Sequence, residues 1–571
     1  MKDQQRFLKA MILSGMVLVI WTIFFAPDPP DPTLEDEVVA EETDDAVDQT
    51  VDGSEPDREV AEADVLEPDE SIPSLEPDDE PVEAPEIETR IDRISTPFMD
   101  VVLDNRGAVV RDIQVTSPRQ FAGVGGELMR AFEDDAPAWP FEVVFLDQTV
   151  EIDQGQPFQV IEEESRRAAD GESYEMITYR HEDPRGRFSL DKTFTMDERR
   201  YVLRLDITLT NHLEELRLVD TPALDMIGRD DPDKETFFLD FRPDVLGAIC
   251  RTVDDTERIN FERIEAPITH SQHQVMWAGT DTRYFIMATI PDNGAEACVF
   301  EQAGSDYLRT RMIFERFSVE PKGTWSTSHS IFMGPKDFGV LRDTGSRLEE
   351  AVDYGFFTVL ARPLRAALAF FYGFVGNWGL AIILLTLVIK LFTWPLTQKA
   401  YVNAERMKKL QPRIKEIREK YENDQQRMSE ETMKLMREEK VNPLGCLPLL
   451  IQMPILYGLF IMIYNSVELY HAEFLWYADL SAPDPIFLLP LLMGGVMFVQ
   501  QRLTMQASAA TMNPQMMTVM KIMPVMFTAF MIFLPAGLVL YYLLNLVLGV
   551  LQQFLIRRKF QKAEEAGEPT P

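Results

Sequence analysis

The sequence predicts an α+β membrane protein: six transmembrane helices joined to one large extracytoplasmic domain of antiparallel sheet. Three observations carry this. The last two hundred or so residues hold five long apolar runs, residues 90–347 are polar with a period-two alternation, and lysine and arginine are segregated to one set of loops.

Taken in order, residues 1–9 carry Lys2, Arg6 and Lys9, and residues 10–26 form an apolar run. No small-x-small pattern closes it, because Phe24-Phe25-Ala26-Pro27 puts bulky residues where a signal peptidase needs small ones, so residues 1–26 read as an uncleaved anchor with its N-terminus in the cytoplasm. The chain of 571 residues has a net charge of −39, and most of the excess is local. Residues 27–89 hold 26 Asp plus Glu against the single Arg58, with ten prolines, a composition that cannot bury enough apolar surface to offset its ordering entropy. The expectation is a disordered, self-repelling tether; an acidic partner-binding tail is the sharper alternative.

In residues 90–347, Tyr201, Leu203, Leu205, Ile207 and Leu209 alternate with Val202, Arg204, Asp206, Thr208 and Thr210. Phe188, Leu190, Phe194 and Met196 repeat the habit, and residues 141–145 are another candidate strand. Many strands with no helices between them predict an antiparallel sandwich. Cys250 and Cys298 fall in this extracytoplasmic region, where a bridge would persist. Sequence supplies no distance between them, so two unpaired buried thiols are the first expectation and a bridge stays open as the alternative.

The pattern changes to helix at residues 348–375. Phe356, Phe357, Leu360, Leu364, Ala367, Leu368 and Phe371 form one stripe with Arg362 and Arg365 off it, which predicts an amphipathic helix in the membrane surface, with a simple core helix as alternative. Pro363 should kink it or begin its second part. Residues 376–560 then hold spans at 376–397, 443–466, 486–501, 517–534 and 536–556, and residues 561–571 form a tail. The loop 398–442 carries twelve Lys and Arg, and Arg557, Arg558 and Lys559 follow the last span, whereas residues 441–501 have none. The positive-inside rule places loop and C-terminus in the cytoplasm and the sheet domain outside.

Within loop 398–442, Met407, Leu410, Ile414, Ile417 and Tyr421 recur at spacings of three and four, and a second helical stretch follows Asn423-Asp424. Two antiparallel helices burying these stripes against each other would project a charged hairpin, with Lys408, Lys409 and Arg413 as candidate docking residues; a solvated hairpin without partner is the alternative.

Lys390 is the most informative residue of the spans. Its helix position is ~18 Å from Trp378 and ~14 Å from Lys399, near the bilayer midplane, where a charge costs roughly 2.5 to 3.5 kcal/mol. Such a residue marks a function and faces protein or water, unless it snorkels to the interface. Thr386, four residues earlier, shares its face. Gln452 and Asn545 are polar groups in other spans, to be satisfied by an interhelical hydrogen bond or by lining the same wet cavity. Methionine is dense from Met493 to Met531, suiting either gap-filling or a surface that accepts many apolar sequences.

Four strings are more specific than composition: GNWGLAIILLTLVIKLFTWPLT at 376–397, NPLGCLPLLIQMP at 442–454, DLSAPDP at 479–485 and LPAGLVLYYLLN at 534–545. Together they resemble the Gram-negative YidC branch of the YidC/Oxa1/Alb3 membrane protein insertases. The resemblance implies five core helices around a groove open to cytoplasm and lipid, an extracytoplasmic β-supersandwich related in fold to sugar mutarotases, and a basic groove residue, usually Arg, that helps draw polar tails across. Lys390 matches that position and departs from it, keeping the charge but losing the planar fork of donors. The family pattern also places a hydroxyl at Thr386 and a tyrosine at Tyr542. The implied partners are nascent membrane proteins, the lipid bilayer, the ribosome and targeting receptor, and the Sec translocon, in a bacterial inner membrane.

No nucleotide-binding motif and no metal-spaced His/Cys cluster is present, so no cofactor, enzymatic reaction or direct nucleic-acid sequence recognition is expected. The competing readings are a secondary transporter, which lacks an intramembrane Asp or Glu for a coupling site, and a sugar-binding β-domain, suggested by fold analogy alone.

Overall fold

The computed structural model describes residues 87–116, 136–167, 173–197, 201–230, 246–270, 274–422, 424–439, 441, 447–508 and 514–565. The anchor, the tether up to residue 86, residues 442–446 of the third-span string and the last six residues of the tail lie outside them.

Nineteen strands are described: β1 (Ile91–Ser95), β2 (Met99–Asp104), β3 (Val109–Val115), β4 (Val143–Phe145), β5 (Gln159–Arg167), β6 (Ser173–Glu182), β7 (Phe188–Asp197), β8 (Val202–Asn211), β9 (Leu218–Asp220), β10 (Pro222–Arg229), β11 (Gly247–Thr252), β12 (Thr256–Asn260), β13 (Ile268–His270), β14 (Val275–Asp281), β15 (Phe285–Pro291), β16 (Ala297–Gln302), β17 (Tyr307–Ile313), β18 (Phe317–Val319) and β19 (Thr324–Pro335). A nine-stranded sheet, β12-β11-β14-β15-β19-β8-β7-β6-β5, faces a five-stranded sheet, β13-β16-β17-β10-β4. The alternation read from residues 201–210 sets the register: Leu203, Leu205 and Leu209 of β8 lie opposite Met196, Phe194 and Leu190 of β7, all buried. Each pair places apolar side chains on the same face of the sheet. Residues 141–145 form strand only from Val143, because Phe141 takes a left-handed φ of 62° and aims its carbonyl at the ammonium of Lys192. Full burial pushes that ammonium down to about 7.

Cys250 on β11 and Cys298 on β16 form a disulfide, Cα to Cα 6.6 Å, which overturns the reading of two unpaired thiols. The strands that carry them belong to opposite sheets, so only the face-to-face packing makes them neighbours. The bridge closes a loop of 48 residues, worth about 4 kcal/mol of unfolded-state entropy. Replacing both cysteines by serine should lower the denaturant stability of the sheet domain by about 2–4 kcal/mol relative to oxidised wild type, and reducing the wild type should remove most of that difference. Equal stabilities of oxidised wild type and variant would contradict a stapling role.

The helices are α1 (Phe338–Thr344), α2 (Thr358–Val375), α3 (Trp378–Lys420), α4 (Gln425–Glu438), α5 (Leu447–Tyr464), α6 (Leu488–Ser508), α7 (Pro514–Met531) and α8 (Ala536–Glu565). Three helical stretches are long and apolar enough to cross a membrane, Gly355–Val375, Trp378–Lys420 and Ala536–Ala563. Shorter apolar helices occupy Pro454–Tyr464, Leu488–Leu503 and Met520–Met531. The stretch expected to lie in the membrane surface is thus, by length and composition, one of the three that could span it. The expected first core span and first hairpin helix are one continuous 43-residue helix, α3, running through Pro395 and Pro412. Each proline removes one backbone donor, and packing against α8 and α4 holds the helix through both. At the hairpin, Leu410, Ile414 and Val441 are buried together against Met407, Leu435 and Met436.

Helix α2 carries one correction. Phe356 of the expected stripe is exposed, whereas Arg365, off the stripe, is partly buried: its guanidinium lies 3.9 Å over the Phe338 ring of α1 and pairs at 3.3 Å with Glu468. Burial pushes the Glu468 carboxyl up to about 7, with Asp337 adding and Arg365 opposing. Nearby, Arg283 of the sheet domain hydrogen-bonds Tyr464 and covers its ring, the Tyr284 and Tyr470 rings lie 4.9 Å apart, and Asn465 donates to the Asp353 carbonyl. These contacts join the sheet domain to α2, α5 and the loop after α5.

Candidate functional site: a polar seam in the helix bundle

Helix α3 is packed by α2, α6 and α8, and one of its faces is polar. Thr386, Lys390, Thr393, Thr397 and Tyr401 follow spacings of four, three, four and four, which keeps them on one side. Helix α8 answers with Tyr542, Asn545, Gly549 and Gln552, spaced three, four and three. Where the two faces meet, the Lys390 ammonium donates to Asn545 Oδ1 at 3.4 Å. One helical stage further on, Thr397 donates to Gln552 Oε1 at 3.0 Å, and Gln552 Nε2 donates to the Trp394 carbonyl at 3.2 Å. Gln552 is wholly buried.

Between these two links sits Gly549. A Cβ built there would lie 3.1 Å from Tyr401 Oη, 3.6 Å from Lys390 Nζ and 3.7 Å from Gln500 Nε2, so three polar tips from α3 and α6 converge on bare backbone. Tyr401 and Gln500 are themselves hydrogen-bonded. The side chain of Tyr401 reaches back along its helix toward Lys390, as helical side chains do.

Lys390 is 7% exposed and has three donors for one neutral amide acceptor at a long distance. No carboxylate among the described residues forms an ion pair with it. A charge held this way keeps both a field and spare hydrogen-bonding capacity inside an apolar bundle, where its attraction for a carboxylate or a peptide dipole is stronger than in water.

Of the residues singled out from sequence, Lys390 and Asn545 meet directly. Thr386 is buried beside them, but its hydroxyl donates to its own helix, to the Ile382 carbonyl at 2.6 Å. The Tyr542 ring packs 5.2 Å from that of Phe527 on α7. Gln452 lies on α5, whose side chain there is outside the described residues. At the hairpin, Arg413 pairs with Glu439 at 2.9 Å and the Lys409 ammonium lies 5.8 Å from the Phe560 ring of α8, so both are engaged within the chain; Lys408 is half-buried. Sequence reading missed Thr397, Tyr401, Gln500, Gly549 and Gln552. Continuing the spacing of three and four beyond Lys390 and Asn545 would have found all but Gln500, which has no periodic signal.

Fold and seam together define a class: a multi-helix membrane protein with an extracytoplasmic sheet domain and an unneutralised cation inside its bundle, with no metal-holding cluster among the described residues. Comparison with known proteins agrees. Residues 370–564 match the family described as 60Kd inner membrane protein, and residues 92–367 match the YidC periplasmic domain. The membrane protein insertase YidC of Syntrophus aciditrophicus is 32% identical over 97% of this chain and 99% of its own length. That of Lawsonia intracellularis is 41% identical over 50% of this chain and 54% of its own. A crystal structure of an active YidC insertase with its first transmembrane domain resolved is similar at a TM-score of 0.37 and 21% identity, covering 83% of this chain and 94% of that one. The chain belongs to the YidC family of membrane protein insertases, and these matches lend no support to a secondary transporter or a sugar-active domain.

The seam makes a steric prediction. Gly549→Val should displace the Tyr401 hydroxyl and the Lys390 ammonium, because its methyls would extend beyond a Cβ that already lies 3.1 Å and 3.6 Å from them. Insertion of a client with an acidic translocated tail should fall several-fold in proteoliposomes, while Gly549→Ala falls less. Equal activity of wild type and Gly549→Val would show that the convergence on Gly549 is not needed.

Proposed function

We propose that the Lys390 seam is the place where this insertase receives the polar segments of newly made membrane proteins before they pass into the lipid bilayer. One observation carries the reading: a buried ammonium whose partner is a neutral amide. A carboxylate or a solvated peptide entering the seam completes the ammonium's hydrogen bonding and lowers the cost of its own passage, and the interaction is lost once the segment leaves on the far side, so the site assists without trapping. Lysine in place of a guanidinium makes this a point charge that any acceptor geometry can meet. Thr386, Gln452, Tyr542 and Asn545 complete the lining in this proposal.

The arrangement proposed around the seam is six spans, five of them, α3 and α5 to α8, surrounding the groove. Both termini and the hairpin lie in the cytoplasm, where the positive-inside rule puts the basic loop. The insertase works as a folding chaperone alone or beside the Sec translocon, and the hairpin meets the ribosome or targeting receptor through Lys408, Lys409 and Arg413. Support for docking is their concentration of positive charge at the hairpin base; Lys409 and Arg413 also hold the hairpin to α8 and α4.

Lys390→Ala should reduce insertion of clients with acidic translocated tails several-fold, and Lys390→Arg should retain most of it, both read by protease protection of the tail. Wild-type insertion by Lys390→Ala would remove the charge from the mechanism. For the hairpin, Lys408→Glu with Arg413→Glu should weaken co-sedimentation of ribosome–nascent-chain complexes at low salt and less so at high salt, since exposed charges act over about 8 Å at physiological ionic strength. Unchanged recruitment at both salts would leave the hairpin as a structural cap.

A further inference from the structure

The loop of residues 466–487, between α5 and α6, is built with its polarity reversed. Three of its four carboxylates, all but Glu473, turn inward. Asp484 is 1% exposed and accepts from the backbone of Ile486 at 3.1 Å and Leu489 at 2.7 Å and from Tyr477 Oη at 3.1 Å. Asp479 accepts from the backbone and hydroxyl of Ser481, both at 2.7 Å, and Glu468 is held by Arg365. The large apolar side chains turn outward: Leu475 is 73% exposed, Ile486 57%, Trp476 47% and Phe487 46%. A loop facing water would have the opposite arrangement.

The backbone at the tip is closed on itself. Phe474 and Tyr477 exchange both hydrogen bonds, at 3.0 and 2.9 Å, so Leu475 and Trp476 sit in a sealed turn. Leu475 and Phe487 both hold left-handed φ values, 54° and 56°, conformations that side-chain-bearing residues adopt only when their surroundings require it. The loop is pinned to the starts of two helices. Asn377 donates to the Glu473 carbonyl beside the start of α3, the Phe474 ring covers Gly379, and the backbone of Ala536 and Gly537 at the start of α8 donates to Ala482 and Leu480. The exposed apolar surface is continuous with that of the bundle, running into Leu491 and Leu492 of α6, with Phe374 at the end of α2 also exposed. The exposed titratable residues of the loop, His471 and Glu473, both precede the tip.

The geometry points to a lipid wedge: the loop seats Leu475, Trp476, Ile486 and Phe487 in the acyl–headgroup boundary of the leaflet on the side of the sheet domain. Lipid is the occupant the observations favour over a protein partner. Hydrocarbon cannot satisfy backbone groups, and here the two residues flanking the tip pair theirs with each other; it repels carboxylates, and here those between the tip and α6, Asp479 and Asp484, are held by the loop's own donors; and an indole suits the boundary between apolar and wet. The wedge is continuous with the lipid-facing side of α6, which no protein surface would need to be. It goes beyond the seam and does not depend on it.

The test uses the full chain in vesicles of phosphatidylethanolamine and phosphatidylglycerol, with Cys446→Ser so that only introduced thiols react. Nitroxide labels go separately on Leu475→Cys and Phe487→Cys, and on Val253→Cys as an exposed apolar reference in the sheet domain. Power saturation compares collisions with oxygen, which partitions into lipid, and with a nickel chelate, which stays in water. The expected result is an oxygen-over-nickel ratio several-fold above that of Val253→Cys at both loop positions, corresponding to a depth of about 5–10 Å. Nickel access equal to the reference at both positions would mean that the loop stands in water. Exclusion of both reagents would mean that protein covers it. Either outcome overturns the wedge, and two independent labelling sites guard against one variant perturbing the loop.

Discussion

The bundle is organised around one constraint: an ammonium near the middle of an apolar run must find acceptors without being neutralised. Lys390 meets it with the amide of Asn545 and with room left by Gly549, whose missing side chain allows Tyr401 and Gln500 to approach the same point. A carboxylate in place of Asn545 would make a buried ion pair, stable when formed and costly to break, and would leave the ammonium no spare capacity. The neutral amide keeps the charge available. The surrounding polar links, Thr397 to Gln552 and Gln552 to Trp394, satisfy the other seam groups, so that the unmet capacity is concentrated at the ammonium.

The same logic of buried polarity operates where the sheet domain joins the helices. Glu468 is buried and Arg365 partly so, with its guanidinium over the Phe338 ring, so removing Arg365 would strand the buried carboxylate. With Arg283 on Tyr464 and Tyr284 on Tyr470, the junction ties the domain to α2, α5 and the loop that follows α5. The loop that forms one side of this junction is also the one that caps the ends of α3 and α8. Residues 464–484 thus contact both the sheet domain and the starts of the seam helices.

Local periodicity made much of the architecture legible before any coordinates. The alternation of Leu203, Leu205 and Leu209 appears as the buried face of β8, because a period of two has only one meaning for a strand with one side on a core. The stripe from Met407 to Ile414 likewise packs inside the hairpin. Boundaries were less legible. Nothing local ends α3 at Thr397: the change from apolar to basic composition marks where the membrane would stop, and a helix's hydrogen bonds do not respond to that change. The partner of Arg365 was illegible for a related reason. Its place on the helical wheel was visible, but the acid that pairs with it comes from a segment 103 residues away.

The sequence by itself determined which residues share a face. Spacings of three and four on α3 and α8, and of two along the strands, follow from helix and strand geometry, and through them Lys390, Thr386 and Asn545 stood out as polar groups in apolar runs. Only the tertiary structure decided which faces meet. The Cys250–Cys298 bridge, the Arg365–Glu468 pair, the approach of Gln500 to Gly549 and the inward turn of Asp484 all depend on packing between segments far apart in the chain or on the fold of a loop without periodicity. Periodicity is a property of a single element, whereas these contacts are set by the relative placement of several, which no local pattern encodes.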